Sequence, residues 1–173
     1  GVEITATFCP AEANTGYQIQ RVDLEGQPII EAIADNVAAT NRGTVVKKGD
    51  ITVSTIEHAM AALYCAGIDN CLIQVNAPEI PILDGSAQPF AEAIAKAGIV
   101  EQDAKREIFR VQKKYEVIDE ENGVKLEIFP DDHFSVTSFV DYPSPVLNNQ
   151  YAVLNDIADF NEQVAAARTF VFV

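Results

Sequence analysis

Two adjacent residues stand out for the chemistry they could do together. Glu57 and His58 lie in Ser54-Thr55-Ile56-Glu57-His58-Ala59-Met60-Ala61-Ala62-Leu63. A carboxylate beside a metal-bound imidazole can act as general base, taking a proton from metal-activated water as it attacks a carbonyl. On a helix, His58 shares its face with Ala61, Ala62 and Cys65, small side chains that leave room beside the ring. Each residue also has an ordinary explanation. Ser54 followed by Glu57 makes a capping box, which gives the glutamate a structural role. His58 alone could be a half-buried core histidine. A catalytic zinc takes three protein ligands, and no HExxH pair is present. Cys65 lies ~10 Å from His58 along the helix axis, too far to share an ion.

The other reactive side chains read more simply. His133 sits in the polar turn Pro130-Asp131-Asp132-His133. Asp84, in Leu83-Asp84-Gly85-Ser86, could be catalytic, but aspartate is an ordinary residue for a turn before a helix. Arg21, Arg42, Lys47 and Lys48 could form a small anion-binding patch or simply a solvated face. Cys9, Cys65 and Cys71 are too few and wrongly spaced for a disulfide framework or zinc ribbon, and read as free thiols of a reducing compartment. There is no GxxxxGK[ST] loop, no GxGxxG and no GxSxG elbow.

Charge narrows the partners. With 12 Lys+Arg against 26 Asp+Glu the formal charge is −14, so the broad basic surface that nucleic acid or an anionic membrane demands is missing. A local pocket could still take an anionic ligand. No apolar run reaches the ~18 residues of a transmembrane helix. The 173 residues suffice for one ample domain or two small ones.

The elements that must position Glu57 and His58 follow from periodicity. Residues 2–8 alternate as a strand, and residues 17–22 form a second one expected to pair with it. Residues 44–46 and 50–53 are short strands around a Lys47-Lys48-Gly49 turn. A helix capped by Ser54 runs to a stop at Gly67. Residues 71–75 form a strand, and the prolines of residues 78–83 keep that stretch extended. Ser86 caps a second helix over residues 87–97, with Pro89 in its first turn and Gly98 as its stop. The polar stretch 102–106 is a boundary. Strands follow near 109–117, 124–129 and 134–140, with Asn122-Gly123 as a hairpin turn. A further strand at 151–153 and a helix over 157–167 complete the chain. This order of strands, helices, then strands predicts an α+β fold of two-layer sheet/helix domains. The first spans 1–104, with an inserted segment near 29–50, and the second spans 105–173.

Four segments together carry a resemblance. Residues 54–63 continue into Gly67-Ile68-Asp69-Asn70. Pro78-Glu79-Ile80-Pro81-Ile82-Leu83-Asp84-Gly85-Ser86-Ala87 follows, then Ala167-Arg168-Thr169-Phe170, while Thr40-Asn41-Arg42-Gly43-Thr44 precedes them all. In this order they resemble the zinc-dependent UDP-3-O-acyl-N-acetylglucosamine deacetylases of lipid A biosynthesis, over nearly the whole chain. The resemblance implies two α+β domains with helices sandwiched between two sheets. It implies a bacterial, cytoplasmic hydrolase whose cofactor is zinc and whose partner is a small UDP-linked acylated glucosamine. Glu57 would be the general base and His58 a zinc ligand. Thr169 would donate to the oxyanion of the tetrahedral intermediate. Asn41, Arg42 and Gly43 would sit at the rim, Phe170 at the substrate pocket, and Asp141 and Tyr142 at the nucleotide, the ring stacking on uracil.

The family pattern also carries features that this sequence lacks. Its other two zinc ligands, a histidine and an aspartate, come beyond Thr169. An early glycine-rich loop with a histidine and a later acid histidine are missing, and Val171 stands where the family usually has glycine. The chain opens directly on a strand pattern and closes inside the apolar run 168–173, so it is expected to be a fragment truncated at both ends, its first domain nearly complete and its second partial. Such a fragment is expected to hold zinc weakly or not at all, to have little activity alone, and to self-associate through its incomplete second domain. The competing reading is a non-catalytic α+β binding or assembly module, with Glu57 a helix cap and His58 structural.

Overall fold

Alternating apolar residues build the strands, and glycines end the helices. The computed structural model describes residues 3–142 and 148–169. Strands β1 (Ala6–Pro10), β2 (Tyr17–Arg21) and β3 (Ile29–Glu31) are followed by β4 (Val37–Ala39), β5 (Val45–Lys48) and β6 (Ile51–Val53). Helix α1 (Glu57–Cys65), β7 (Cys71–Val75) and helix α2 (Gln88–Ala97) come next. The remainder contains β8 (Tyr115–Asp119), β9 (Val124–Ile128), β10 (Val136–Val140), β11 (Gln150–Leu154) and the short helix α3 (Phe160–Gln163). The fold is α+β.

The main sheet has the order β1-β7-β2-β3, and β4, β5 and β6 form a second antiparallel sheet. The expected pairing of the first two strands does not occur. β7 lies between them, antiparallel to β1 and parallel to β2. The Asn70 side chain explains how the connecting loop is held open. Its Oδ1 accepts the N–H groups of Thr15 (2.9 Å) and Gly16 (3.0 Å), while its Nδ2 donates to Gln102. The loop is thereby captured at the start of β7 instead of closing into a hairpin.

Ile19, Ile30, Ile73 and Val75 of this sheet are fully buried, as are Leu63 and Ile80. Each such side chain contributes about 1.5–3 kcal/mol of burial. α1 presents Ala59, Ala62 and Leu63 to the core and packs on α2, whose Phe90 ring stacks on Phe8 of β1 at 5.9 Å. α1 ends as its sequence predicts. Gly67 takes φ 75°, its N–H donates to Tyr64 O (3.0 Å), and the Ile68 N–H donates to Leu63 O (3.1 Å), a Schellman closure. Gly98 ends α2 at φ 81°.

The chain divides into two compact units. One runs through Ala104 and takes in the segment from Phe160 onward; the other is Lys105–Asp159. Residues 160–169, expected with the second domain, thus fall in the first unit, where the Thr169 N–H donates to Gly85 O at 2.7 Å. The helix expected over 157–167 is cut short. A 3-10 turn occupies 157–159 and α3 stops at Gln163, after which the Ala165 N–H reaches Phe160 O and the Ala167 N–H reaches Val164 O, breaking the helical ladder.

The second unit contains two antiparallel hairpins, β8–β9 and β10–β11. Asn122-Gly123 turns the first, with Gly123 at φ 67° and the Asp119 carboxylate accepting from Asn122. Val117, Leu126, Phe139 and Tyr151 on these strands are all exposed.

Arg21 is a buried charge on β2, and it is fully engaged. Its Nε and Nη2 donate to the two carboxylate oxygens of Asp23 at 2.8 and 2.7 Å, and its Nη1 donates to Thr52 O at 3.1 Å. This guanidinium holds the Asp23 carboxyl below the usual carboxylate range. A depressed native value stabilises the fold above the unfolded value of about 4, and that contribution is lost as pH falls through the native value. Asp23→Asn should therefore cost about 1–3 kcal/mol near pH 7. The gap from wild type should narrow below about pH 4. Urea midpoints across that range check both points, and a gap independent of pH would refute the assignment.

Candidate functional site

The start of α1 departs from its sequence pattern, and the departure makes the site. A capping box would place Ser54 at the N-cap and Glu57 three residues into the helix. Instead the helix begins at Glu57, and no side chain caps it. Ser54 forms a parallel bridge with Glu79. Its N–H donates to Pro78 O and its C=O accepts from the Ile80 N–H, each at 3.0 Å. Thr55 follows at φ 58° and separates this bridge from the helix. The capping assignment for Glu57 is therefore corrected: tertiary pairing to residues 78–80 takes up the backbone that the box would have used.

Freed from that role, the Glu57 carboxylate reaches another loop. Its Oε2 accepts the Thr44 N–H at 3.0 Å. A Cβ built on Gly43 would stand 3.4 Å from its Oε1. Arg42, at φ 59°, turns the chain into this approach, and Asn41 and Arg42 are exposed. The structure thus brings Glu57 together with Gly43 and Thr44 of the segment that the resemblance assigns to the rim. As the first residue of α1, Glu57 also places its charge against the positive end of the helix dipole. His58, next to it, is half-buried and has no hydrogen-bond partner among the described residues.

A second small constellation surrounds Asp84. Its Oδ1 accepts from the N–H (3.1 Å) and hydroxyl (2.7 Å) of the fully buried Ser86, and its Oδ2 lies 3.6 Å from the Arg168 guanidinium. The Ser86 hydroxyl foremost holds the Asp84 carboxyl below its usual range. Ser86 Oγ in turn accepts the Gln88 N–H at 3.3 Å, so it caps α2 from one residue before the N-cap position. Gly85, at φ 84°, accepts from the Thr169 backbone, and a Cβ there would stand 3.5 Å from Thr169 Cγ2. Asp84 is therefore a turn residue, and the Gly85 carbonyl next to it holds the Thr169 backbone.

Asp141 and Tyr142 belong to the second unit, where Asp141 Oδ1 accepts the Asn149 N–H. Phe170 lies outside the described residues. A catalytic zinc needs three protein ligands. Among the described residues, the one group of three donors close enough to share an ion is Asp131, Asp132 and His133, all exposed. His58 belongs to no such group, so the described residues do not fit a zinc ion there. His133 is a surface residue whose imidazole is held above its ordinary value by the Asp132 carboxylate, 2.7 Å away. All three cysteines are free, and burial pushes the Cys71 thiol up to about 11.

With this geometry in place, comparison with known proteins becomes decisive. The family model described as LpxC, UDP-3-O-acyl N-acetylglycosamine deacetylase, matches residues 1–173. The chain belongs to the LpxC family. Over all of its 173 residues it is 58% identical to the bifunctional enzyme LpxC/FabZ of Porphyromonas gingivalis and 53% identical to that of Bacteroides thetaiotaomicron. Against the UDP-3-O-acyl-N-acetylglucosamine deacetylase of Geobacter sp. strain M21 the identity is 43%. The chain spans 37%, 38% and 56% of the lengths of these three relatives. Among the described residues of this LpxC-family chain, no helix is long and apolar enough to cross a membrane.

Sequence reasoning missed two participants here. The Thr44 N–H is a backbone donor with no residue-type signature, and Thr55 is marked only by its dihedral angle. The revised helix start predicts unequal serine substitutions. Ser54→Ala should change stability by less than about 0.5 kcal/mol. Ser86→Ala, which removes a buried cap, should cost about 1–2 kcal/mol. Paired urea denaturation curves test this, and equal losses would restore the capping box.

Proposed function

We propose that this chain carries part of the catalytic apparatus of an amide hydrolase that removes the N-acetyl group from UDP-3-O-acyl-N-acetylglucosamine in lipid A biosynthesis. The observation that carries the reading is the Glu57 carboxylate. It is withdrawn from a capping role, fixed by the Thr44 N–H and presented beside Gly43. A carboxylate held this way is oriented to accept a proton from water as its oxygen attacks the acetamide carbon. The C–O bond forms, the oxyanion develops, and the C–N bond then breaks as the proton held by Glu57 passes to the departing nitrogen, leaving the glucosamine amine and acetic acid, which ionises to acetate. The hydroxyl of Thr169, on a segment pinned to Gly85, is suited to donate to that oxyanion. Asn41, Arg42 and Gly43 would border the sugar, Phe170 would line the pocket, and Asp141 and Tyr142 would meet the nucleotide.

The family resemblance makes His58 one of three zinc ligands, with the other two outside residues 1–173. Zinc, when bound by a complete set, supplies Lewis acidity toward the amide carbonyl. Among the described residues His58 belongs to no group of donors close enough to share an ion, so this chain alone should bind zinc weakly and turn over little substrate. The module reading loses its main support once Glu57 is no longer a cap. The enzyme would work in the bacterial cytoplasm on a soluble nucleotide sugar.

In the full-length gene product, Glu57→Gln should lower kcat for deacetylation of UDP-3-O-acyl-N-acetylglucosamine by about 10²–10⁴-fold, with its melting temperature kept. Full turnover in that variant would sink the general-base assignment. Zinc titration of the 173-residue chain should show no tight single site. The exposed apolar strands of the second unit should make this chain self-associate at micromolar concentration. A monodisperse monomer in analytical ultracentrifugation would count against that.

A further inference from the structure

We propose that Thr55 and Glu79 form a positioning pair that aims the Glu57 carboxylate, an inference that rests on reading Glu57 as the general base. Thr55 has φ 58°. That is the left-handed region, where a β-branched residue is a genuine outlier. Strain of this kind persists only where the surroundings over-determine it, and it gathers at functional sites.

The surroundings here are specific. Ser54 is tied through both its N–H and its C=O to Pro78 and Ile80. Between those two ties, the Thr55 hydroxyl donates to Glu79 Oε1 at 2.8 Å. Pro78 and Pro81 flank this segment and keep it extended, so Glu79 is a fixed acceptor. The same hydroxyl oxygen faces Gly43, 3.9 Å from where a Cβ would stand, on the side where Glu57 Oε1 approaches to 3.4 Å. Thr55 is therefore bonded to the segment that clamps it and stands on the side of Gly43 that the Glu57 carboxylate approaches.

The effect on Glu57 follows from helix geometry. A right-handed residue at position 55 would let the helix start earlier, with Ser54 at the N-cap and Glu57 folded back onto the N-cap backbone. The left-handed turn delays the helix by a few residues and makes Glu57 its first member. The carboxylate is then free to take the Thr44 N–H. Thr55 and Glu79 take no proton and form no bond in the reaction proposed above; they set where the base points.

The test uses the full-length gene product, with kcat, KM and melting temperature measured for wild type, Thr55→Val, Thr55→Ser, Thr55→Gly and Glu57→Gln. Thr55→Val should lower kcat about tenfold to a hundredfold, since small misplacements of a reacting group cost that much. Its KM should stay within about twofold, and Thr55→Ser should restore most of kcat. Thr55→Gly separates positioning from folding. Glycine relieves the strained φ, so the protein should melt no lower than wild type while kcat falls as in Thr55→Val. A Thr55→Val enzyme with unimpaired kcat beside an inactive Glu57→Gln would overturn this inference alone. So would a Thr55→Gly enzyme whose kcat and melting temperature fall together. If Glu57→Gln keeps full turnover, the functional reading fails and this one goes with it.

Discussion

The short parallel bridge between Ser54 and Glu79 is the constraint around which the first unit is organised. It terminates β6, fixes the point at which α1 can begin, and brings residues 78–80 alongside the strand leading into the helix. Everything downstream in α1 inherits that starting point. Its buried face of Ala59, Ala62 and Leu63 meets α2, and its Schellman closure delivers Gly67-Ile68-Asp69-Asn70 to the start of β7 in the interior of the main sheet. There the Tyr17 hydroxyl donates to Ile68 O at 2.6 Å, and burial pushes that phenol well above its usual range. The segment from Ser54 to Asn70 is thus tied at both ends by hydrogen bonds to distant parts of the chain. A catalytic group on such a segment is placed by the whole unit and not by its own helix alone.

What could be read from the residues divides along physical lines. Requirements local to a few residues were legible. Gly67 and Gly98 end helices because only glycine takes their conformation cheaply, and Asn122-Gly123 turns a hairpin for the same reason. Alternation located most of the strands, but it missed β3 and β4 and began β8 six residues early, and a period of two says nothing about which strand lies alongside. β7 between β1 and β2 was therefore beyond its reach. At the site, Glu57 and His58 were visible by residue type, and the motifs shared with the LpxC family supplied candidate roles. Ser54 and Glu57 satisfied a local rule that a longer-range pairing overrode. Threonine is among the least expected residues in a left-handed turn, so nothing in its identity announced Thr55.

The second unit solves an electrostatic problem by composition. In the β8–β9 register Glu116 stands directly opposite Glu127, a repulsive arrangement. Lys114 and Lys125 each bridge both carboxylates. Lys114 also lies over the Phe129 ring at 5.4 Å. The two lysines, Lys114 foremost, hold the Glu116 carboxyl at about 2. The four side chains are exposed or half-buried and screened by salt, so the quartet offsets the Glu116–Glu127 repulsion and adds little net stability.

The position of β7 has a consequence for how the chain comes to be folded at all. During synthesis β1, β2 and β3 leave the ribosome before β7, and of these three only β2 and β3 are partners. β1 must wait as an unpaired edge until residues 22–70 have been made, because its neighbour is the last strand of the sheet in chain order. Closing so long a connection to seat a central strand is slow compared with forming helices or hairpins. In that interval the nascent chain carries an open strand edge able to pair with another chain. Only when the five residues Cys71–Val75 arrive can β1 and β2 both find their shared neighbour.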